Sequence, residues 1–311
     1  MSELGSLRLA YGQALVELGE KDPNIVVLDA DLSASTHTYM FREKFPERFF
    51  NMGIAEADMI CTAAGLASCG KTVFASTFAV FATGRAWDQI RLSISYQKLP
   101  VKIVATHGGL GVGPDGYSHQ AIEDIGLMRL LPGMKVVAPC DAVQTKAVIH
   151  AVAKEPGPFY VRVLKQLLPP IYKEGYEFKL GSSNLLTDGK DVTIGTYGMM
   201  VAEALQVQKS LEAMNISARV IDFASIKPVD KSAIMKACDE TGAFVTCEDH
   251  TVIGGLGDAV AEIILSYKPI PHLRIGMQDR FSESGSASDL YEKYGLTAKH
   301  ITQKIKDFLE K

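Results

Sequence analysis

The 311-residue sequence has few cysteines, no excess of basic charge and no long apolar run. Its five cysteines are odd in number and scattered, without the paired spacing of a disulfide framework or a zinc site. Reduced thiols and a cytoplasmic location are therefore expected. The formal net charge of −4 argues against a surface for nucleic acid or anionic lipid. The N-terminal segment lacks a basic stretch followed by apolar residues, so neither secretion nor membrane insertion is predicted.

Short β-branched runs alternate with amphipathic stretches through the first half of the chain. The predicted strands are NIVVLDADL, KTVFAST, VKIVAT, MKVVAP and FYVRVL. The predicted helices cover 7–20, 55–69, 81–96, 119–131 and 142–154. This alternation is typical of a parallel sheet with helices on both faces, in which ligands bind at the loops after the carboxyl ends of the strands.

A second domain follows a change in composition. Residues 169–190 are rich in Pro, Gly, Ser and charge, which predicts a linker. The alternation then resumes with the strands DVTIGTYG, SARVIDFA, AFVTCED and HLRIGM. Since 311 residues exceed the roughly 100–200 of a typical compact domain, two domains are expected. We predict two α/β domains, 1–168 and 191–311, each with a mainly parallel sheet flanked by helices.

One carboxylate of the first domain needs an explanation. Glu56 lies in the opening turn of a predicted helix that is otherwise rich in Ala, Gly and Met. An acid in a first turn can simply complement the helix dipole. The small residues of the same helix also allow close approach of another helix or a flat ring, which would desolvate the carboxylate. Phe78 and Phe81 follow the next strand, where they either pack in the core or sandwich a heterocycle.

A glycine-rich loop carries the strongest chemical signal. After VKIVAT comes HGGLGVGPDGYSHQAIED, which holds His107, Asp115 and His119 close to a predicted helix start. Glycine lets the backbone approach a ligand, while two imidazoles and a carboxylate can bind hydroxyl groups and move protons. The spacing of these three residues matches none of the usual ligand motifs, so no metal site is predicted.

In their order along the chain, these motifs resemble the pyrimidine-binding and C-terminal domains of thiamine diphosphate-dependent transketolases. The resemblance spans nearly the whole chain and rests on GIAE, the TFxxF aromatics, THGGLGVGPDGYSHQ, KPVD and EDHTVIGGLG. It implies that Glu56 hydrogen-bonds the aminopyrimidine of thiamine diphosphate and so promotes loss of the thiazolium C2 proton. It also implies that Phe78 and Phe81 stack on that ring and fix its orientation.

The resemblance implies a sugar phosphate as substrate. His107, Asp115 and His119 match residues that contact the sugar hydroxyls, with the two histidines acting as catalytic groups beside Glu56. A histidine at 107 also separates this chain from the related deoxyxylulose-phosphate synthases. The implied activity is reversible transfer of a two-carbon ketol unit from a ketose phosphate to an aldose phosphate.

The phosphate end of this substrate is assigned to Arg8, Ser35 and Arg162. Guanidinium groups pair bidentately with phosphate, and a hydroxyl adds a further hydrogen bond. Substrate preference is expected to differ from that of other members, because the chain departs from the family pattern at three positions. They are Gly84, Pro114 and Tyr117.

A complete enzyme of this family also binds the cofactor's diphosphate, with a GDG motif and a downstream Asn that hold Mg²⁺. The sequence contains no GDG motif. The resemblance therefore implies an N-terminal-type partner subunit that holds most of the Mg²⁺ (or Ca²⁺) site, with the cofactor lying between the chains. An α2β2 heterotetramer is expected.

Two alternatives to this activity stay open at the level of sequence. One is a β-type subunit of a 2-oxoacid dehydrogenase, which shares the two-domain plan. The other is a catalytically silent scaffold subunit that has kept the fold. The CEDH segment at 247–250 is interpreted as a buried structural network, and the second domain is expected to serve assembly and not catalysis.

Overall fold

The computed structural model describes residues 4–310. Its strands are β1 (Gly5–Ser6), β2 (Ile25–Asp29), β3 (Phe49–Asn51), β4 (Thr72–Phe78), β5 (Val101–Thr106), β6 (Lys135–Val137), β7 (Phe159–Val163), β8 (Leu167–Leu168), β9 (Asn184–Thr187), β10 (Val192–Thr196), β11 (Ala218–Asp222), β12 (Ser225–Lys227), β13 (Ala243–Thr251) and β14 (His272–Met277).

The α-helices are α1 (Leu7–Lys21), α2 (Ser33–Thr36), α3 (Tyr39–Lys44), α4 (Glu56–Ser68), α5 (Ala79–Arg85), α6 (Trp87–Gln89), α7 (Asp124–Leu130), α8 (Ala142–Lys154), α9 (Met200–Glu212), α10 (Lys231–Glu240), α11 (Leu256–Tyr267), α12 (Ala287–Lys293) and α13 (Ala298–Leu309). Pro46–Arg48 and Leu110–Asp115 form 3₁₀ turns, and Ile90–Ser95 is π-helical. No helix between residues 4 and 310 is long and apolar enough to cross a bilayer.

The first domain is built on a seven-stranded sheet in the order β12-β6-β7-β5-β4-β2-β3. Its neighbouring strands are parallel except for β12, which runs antiparallel to β6. Every residue of β2, β5 and β7 is buried, as expected for strands covered on both faces. The carboxyl ends of β2, β4 and β5 are adjacent, so the segments that follow these strands meet at one edge.

The second domain has a five-stranded sheet in the order β14-β13-β10-β11-β9. β9 is antiparallel to β11, and the other neighbours are parallel. All nine sequence runs predicted as strands are strands, and the prediction of two α/β domains with mainly parallel sheets is confirmed.

Some elements differ from the sequence-based prediction. β9 lies inside the segment 169–190 that was predicted as a linker, and β12 joins the sheet of the other domain. Both strands are too short for a period of two to be visible in the sequence. The helix predicted over 81–96 is divided into α5, α6 and a π-helical segment, and the helix predicted over 119–131 begins only at Asp124. Local departures of this kind leave little trace in hydrophobic periodicity.

The start of α1 is held at the edge of the first domain by two short strands. β1 pairs antiparallel with β8, which follows β7 after a short connection. Ser6 caps α1, since its side chain accepts a hydrogen bond from the backbone N–H of Leu9. This pairing brings Arg8 beside the segment that follows β7.

Candidate active site

Glu56 is the first residue of α4 and is only 4% exposed. Its Oε1 accepts a hydrogen bond of 2.9 Å from Nη1 of Arg85 on α5. Within residues 4–310, Oε2 accepts no hydrogen bond, which leaves one carboxylate oxygen for a ligand. Arg85 was not predicted as a site residue, and it also stacks over Phe81 at 4.2 Å from the ring centroid. The pairing with Arg85 offsets part of the cost of burying this carboxylate.

Two phenylalanines and two histidines form a single aromatic cluster next to Glu56. Phe78 ends β4 and Phe81 lies in the first turn of α5, with ring centroids 5.8 Å apart and planes inclined by 16°. The ring of His107 stacks on Phe78 at 3.8 Å, and His119 meets Phe81 edge-on at 5.2 Å. The neighbouring ends of β4 and β5 thus bring together the predicted residues of two separate motifs.

His107 occupies a strained and electropositive position. Its φ of 63° lies in the left-handed region, and its Nδ1 is 2.7 Å from Oγ1 of Thr106. Burial lowers the pKa of His107 to about 3, and the positive charges of Arg8 and Lys165 lower it further. The imidazole is therefore neutral near pH 7, where it can accept a hydrogen bond from a hydroxyl group or donate one to it.

The burial of neutral His107 predicts a loss of stability in acid. Its pKa is about 3 in the folded chain against 6.5 when unperturbed, so the unfolded state binds more protons between these values. The free energy of unfolding should fall as the pH decreases through this window, by up to about 1.4 kcal/mol per pH unit. Denaturant titrations of the wild type and His107→Gln at pH 7, 6 and 5 measure this dependence. Identical pH dependence in the two chains would contradict the prediction.

The glycine-rich loop after β5 contains two further predicted site residues, Asp115 and His119. Gly109, Gly113 and Gly116 all have φ between 73° and 77°, a region that favours glycine. Asp115 ends the 3₁₀ segment, and its Oδ2 lies 3.3 Å from Nζ of Lys165. His119 is half-buried, and its Nδ1 lies 2.9 Å from Oγ of Ser118.

Two cations, Arg8 and Lys165, lie close together at the end of the site next to Ser35. Nη1 of Arg8 donates to the carbonyl of Ser35 at 2.8 Å, and Nη2 donates to the carbonyl of Lys165 at 3.4 Å. Nζ of Lys165 also donates to the carbonyl of Val112 at 3.2 Å. The positive charges of both residues lower the pKa of His107. Arg8 and Ser35, both assigned to the phosphate end from the sequence, are therefore neighbours in the structure, and Lys165, which the sequence did not single out, lies beside Arg8.

Several buried polar atoms at this end have no hydrogen-bond partner in the described part of the chain. They are Nε of Arg8, Nδ1 of His37 and both amide heteroatoms of Gln166. A buried polar group without a partner is costly, and a bound ligand can provide the missing partner. These atoms and the two cations fit an anionic group of a substrate.

Arg162 does not belong to this end of the site, which corrects its assignment as a phosphate contact. It lies within β7 and is 1% exposed. Nε donates to Oδ2 of Asp124 at 2.9 Å, and Nη2 donates to the carbonyls of Ala121 and Asp249. A guanidinium this deeply buried, whose Nε and Nη2 already bind protein oxygens, offers almost no surface to a phosphate. Lys165, just beyond the end of β7, is the accessible cation of this segment.

Gly84, Pro114 and Tyr117, the three departures from the family pattern, lie in the segments that follow β4 and β5. A side chain at Gly84 would meet open space, since no atom lies within 4 Å of where its Cβ would be. Tyr117 is exposed and lies 6.3 Å from the ring of Phe281, which comes from the second domain. Pro114 lies in the 3₁₀ segment. Between residues 4 and 310, no group of three or more His, Cys, Asp or Glu residues is arranged to hold a metal.

The chain is thus a two-domain α/β protein whose polar and aromatic site residues gather at the carboxyl edge of the first sheet. The family model of the transketolase pyrimidine binding domain matches residues 5–170, and that of the transketolase C-terminal domain matches residues 181–301. This chain belongs to the transketolase family.

Relatives of similar length agree with this membership. A protein of Methanocaldococcus jannaschii described as a transketolase C-terminal section is 50% identical over 98% of this chain and 96% of its own length. The 6-deoxy-6-sulfo-D-fructose transketolase subunit of a Clostridium species is 41% identical over 98% of this chain and 95% of its own length. A solved split gene transketolase, described as an inactive beta4 tetramer, superposes with a TM-score of 0.92 at 51% identity and covers 98% of this chain and 99% of its own. These matches do not favour the 2-oxoacid dehydrogenase alternative.

Proposed function

We propose that this chain is the pyrimidine-side subunit of a two-subunit transketolase that uses thiamine diphosphate. The activity would be reversible transfer of a two-carbon ketol unit from a ketose phosphate to an aldose phosphate. The observation that carries the proposal is the buried Glu56 carboxylate beside the stacked rings of Phe78 and Phe81. One oxygen of this carboxylate accepts no hydrogen bond from any described residue.

The residues fit the pyrimidine ring of this cofactor. Oε2 of Glu56 has no protein partner in the described chain, and a ring nitrogen would give it one. Phe78 and Phe81 offer aromatic faces that fix a heterocycle by stacking. When bound, thiamine diphosphate supplies a nucleophilic carbon and an electron sink for breaking a carbon–carbon bond. Glu56 would hold or release a proton at the ring nitrogen, and the two phenylalanines would keep the ring in one orientation.

The loop residues are proposed to bind the sugar. His107, kept neutral by burial, would hydrogen-bond a hydroxyl group, and His119 would donate and accept protons near the reacting carbon. The carboxylate of Asp115 would accept hydrogen bonds from hydroxyl groups. Arg8, Ser35 and Lys165 would hold the phosphate. This assignment is supported by the two positive charges of Arg8 and Lys165, and by the nearby buried polar atoms that have no hydrogen-bond partner in the described chain.

The diphosphate and Mg²⁺ are proposed to be held mainly by a partner subunit that carries a GDG motif, which this sequence lacks. The relative solved as a split gene transketolase is described as inactive in its beta4 form, which supports a need for a second type of chain. We infer an α2β2 assembly with the cofactor at the boundary between unlike chains.

Reconstitution tests this proposal. The purified chain is mixed with the GDG-containing subunit, Mg²⁺, thiamine diphosphate, xylulose 5-phosphate and an aldose phosphate. The mixture should form the exchanged sugars, whereas either subunit alone should not. Turnover of pyruvate with a lipoyl acceptor would instead support the dehydrogenase alternative. Failure to bind the cofactor in any complex would support the silent scaffold.

Lys165→Ala should weaken binding of phosphorylated donors. Loss of one charge-assisted hydrogen bond is expected to raise KM for a ketose phosphate by about tenfold or more. Lys165→Arg should keep most of the affinity because the charge remains. Steady-state kinetics with a ketose phosphate and the matching unphosphorylated ketose measure the effect, with Lys154→Ala, an exposed lysine at the end of α8, as control. An equal rise in KM for both donors would contradict a phosphate contact.

A further inference from the structure

A buried carboxylate of the second domain contacts the glycine loop of the first domain. Asp249 lies in β13 and is 2% exposed. Its Oδ1 accepts a hydrogen bond of 2.9 Å from the backbone N–H of Leu110, within the loop between His107 and His119. Its Oδ2 accepts a hydrogen bond of 2.9 Å from the hydroxyl of Tyr291 on α12. The carboxylate therefore links the loop of one domain to a helix of the other.

The backbone of the loop lies directly against this carboxylate. A Cβ at Gly109 would overlap the Asp249 carboxylate, and φ at Gly109 is 77°. Only glycine suits this position, since a larger residue would have to displace the carboxylate as well as adopt a strained conformation. The backbone carbonyl of Asp249 accepts 2.8 Å from Nη2 of Arg162, which ties the same residue to β7.

A second set of contacts secures the end of the loop nearest His119. Nε2 of Gln120 donates to the carbonyl of Glu283 at 3.2 Å, and the hydroxyl of Ser282 pairs with Oε1 of Gln120. A Cβ at Gly116 would overlap the side chain of Ser284. Residues 282–284 belong to the second domain, so that domain clamps the loop at both ends.

We propose that Asp249 is a positioning residue for the substrate-binding loop, and that the second domain acts in catalysis by fixing this loop. This inference rests on the proposed function. Among residues 4–310, no hydrogen bond joins Asp249 to the aromatic cluster or to Glu56, so its effect would pass through the backbone of Leu110. Small displacements of groups that orient a substrate can cost about 10²-fold in rate. Burial also raises the pKa of Asp249 to about 6, against the opposing charge of Arg162, as expected for a carboxylate held in the interior.

Two substitutions separate positioning from charge. Asp249→Ala removes both hydrogen bonds. Asp249→Asn can keep both, because its amide oxygen can accept from Leu110 and its NH₂ can donate to the oxygen of Tyr291. In the reconstituted complex, the Ala variant should lose about 10–100-fold in kcat for the ketose phosphate and show a raised KM, with unchanged cofactor affinity. The Asn variant should stay within about threefold of wild type. Asp239→Ala, an exposed aspartate of the same domain that pairs with Lys268, is the control.

A measurement that does not depend on activity accompanies the kinetics. Amide hydrogen exchange over residues 108–120 of the full chain should be faster in Asp249→Ala than in wild type and Asp249→Asn, at a temperature where all three remain folded. Unchanged exchange in the Ala variant would overturn the inference, and so would cofactor affinity that falls in step with turnover. If the wild-type complex transfers no ketol unit, the proposed function fails, and the exchange comparison still decides whether Asp249 fixes the loop.

Discussion

Replacing Glu56 by Gln should lower turnover of the reconstituted enzyme by about 10²–10⁴-fold without unfolding the chain. Glutamine preserves the shape of the side chain and one acceptor oxygen, but it cannot exchange a proton with a ring nitrogen. Arg85 would lose its charge partner, but that guanidinium is half-exposed, so the cost in stability should be small. Steady-state rates with a ketose phosphate and an aldose phosphate, at saturating cofactor, measure the effect.

The chain offers a closely matched control for this substitution. Asp58 lies in the same first turn of α4 but is exposed. Asp58→Asn removes the same charge from the same end of the helix dipole, without touching the aromatic cluster. We expect its turnover to be close to that of wild type. A similar loss of turnover in both variants would show that the effect comes from charge at the start of α4 and not from the buried carboxylate. Full activity of Glu56→Gln would contradict the proposed role of Glu56.

The second large effect is expected at His119. Its Nδ1 is engaged by Ser118, and Nε2 has no hydrogen bond to any described residue. If Nε2 is the atom that meets the substrate, His119→Ala should lower kcat by about 10²-fold or more. His119→Gln should keep more activity than His119→Asn, because the Gln amide reaches the position of Nε2 and the Asn amide only that of Nδ1.

Comparison of these three variants isolates one ring nitrogen. All three lose the edge-on contact of His119 with Phe81, so any shared change in cofactor affinity reports on that contact. The difference in kcat between Gln and Asn then reports on hydrogen bonding at Nε2. Equal activity of the Gln and Asn variants would contradict a role for Nε2 and leave His119 as a packing residue.

The fold and the proximity of the candidate aromatic and histidine residues were predictable from sequence for a specific reason. β4 and β5 are buried runs of β-branched and aromatic residues, and adjacent parallel strands end at the same edge of a sheet. Motifs that follow such strands must therefore meet, as Phe78 and His107 do. The resemblance to transketolases added the chemistry that spacing alone does not provide.

The choice between Arg162 and Lys165 depended on three-dimensional context. Both are cations near the end of β7, and a guanidinium is the better partner for phosphate in general terms. Only the structure reveals that Arg162 is bound by Asp124 inside the domain, while Lys165 lies beyond the strand next to Arg8. A charged residue can bind a ligand only if its charge is not already neutralised by another residue. For Arg162 the neutralising residue is Asp124, which is remote in sequence.

Asp249 was overlooked for a related reason. The CEDH segment was interpreted as a buried structural network, and these residues are buried. Its hydrogen bond to Leu110 spans 139 residues, and no local pattern marks such a contact. The glycine at position 109 is compatible with close approach of another group, but a glycine does not indicate which residue approaches it.

The proposed contact between Glu56 and the cofactor can be observed in a crystal structure of the chain bound to its partner subunit, thiamine diphosphate and Mg²⁺. We expect the pyrimidine ring to lie against Phe78 and Phe81, with an oxygen of Glu56 about 2.7–2.9 Å from a ring nitrogen. A ring bound elsewhere, with the Glu56 carboxylate in contact only with Arg85, would contradict it.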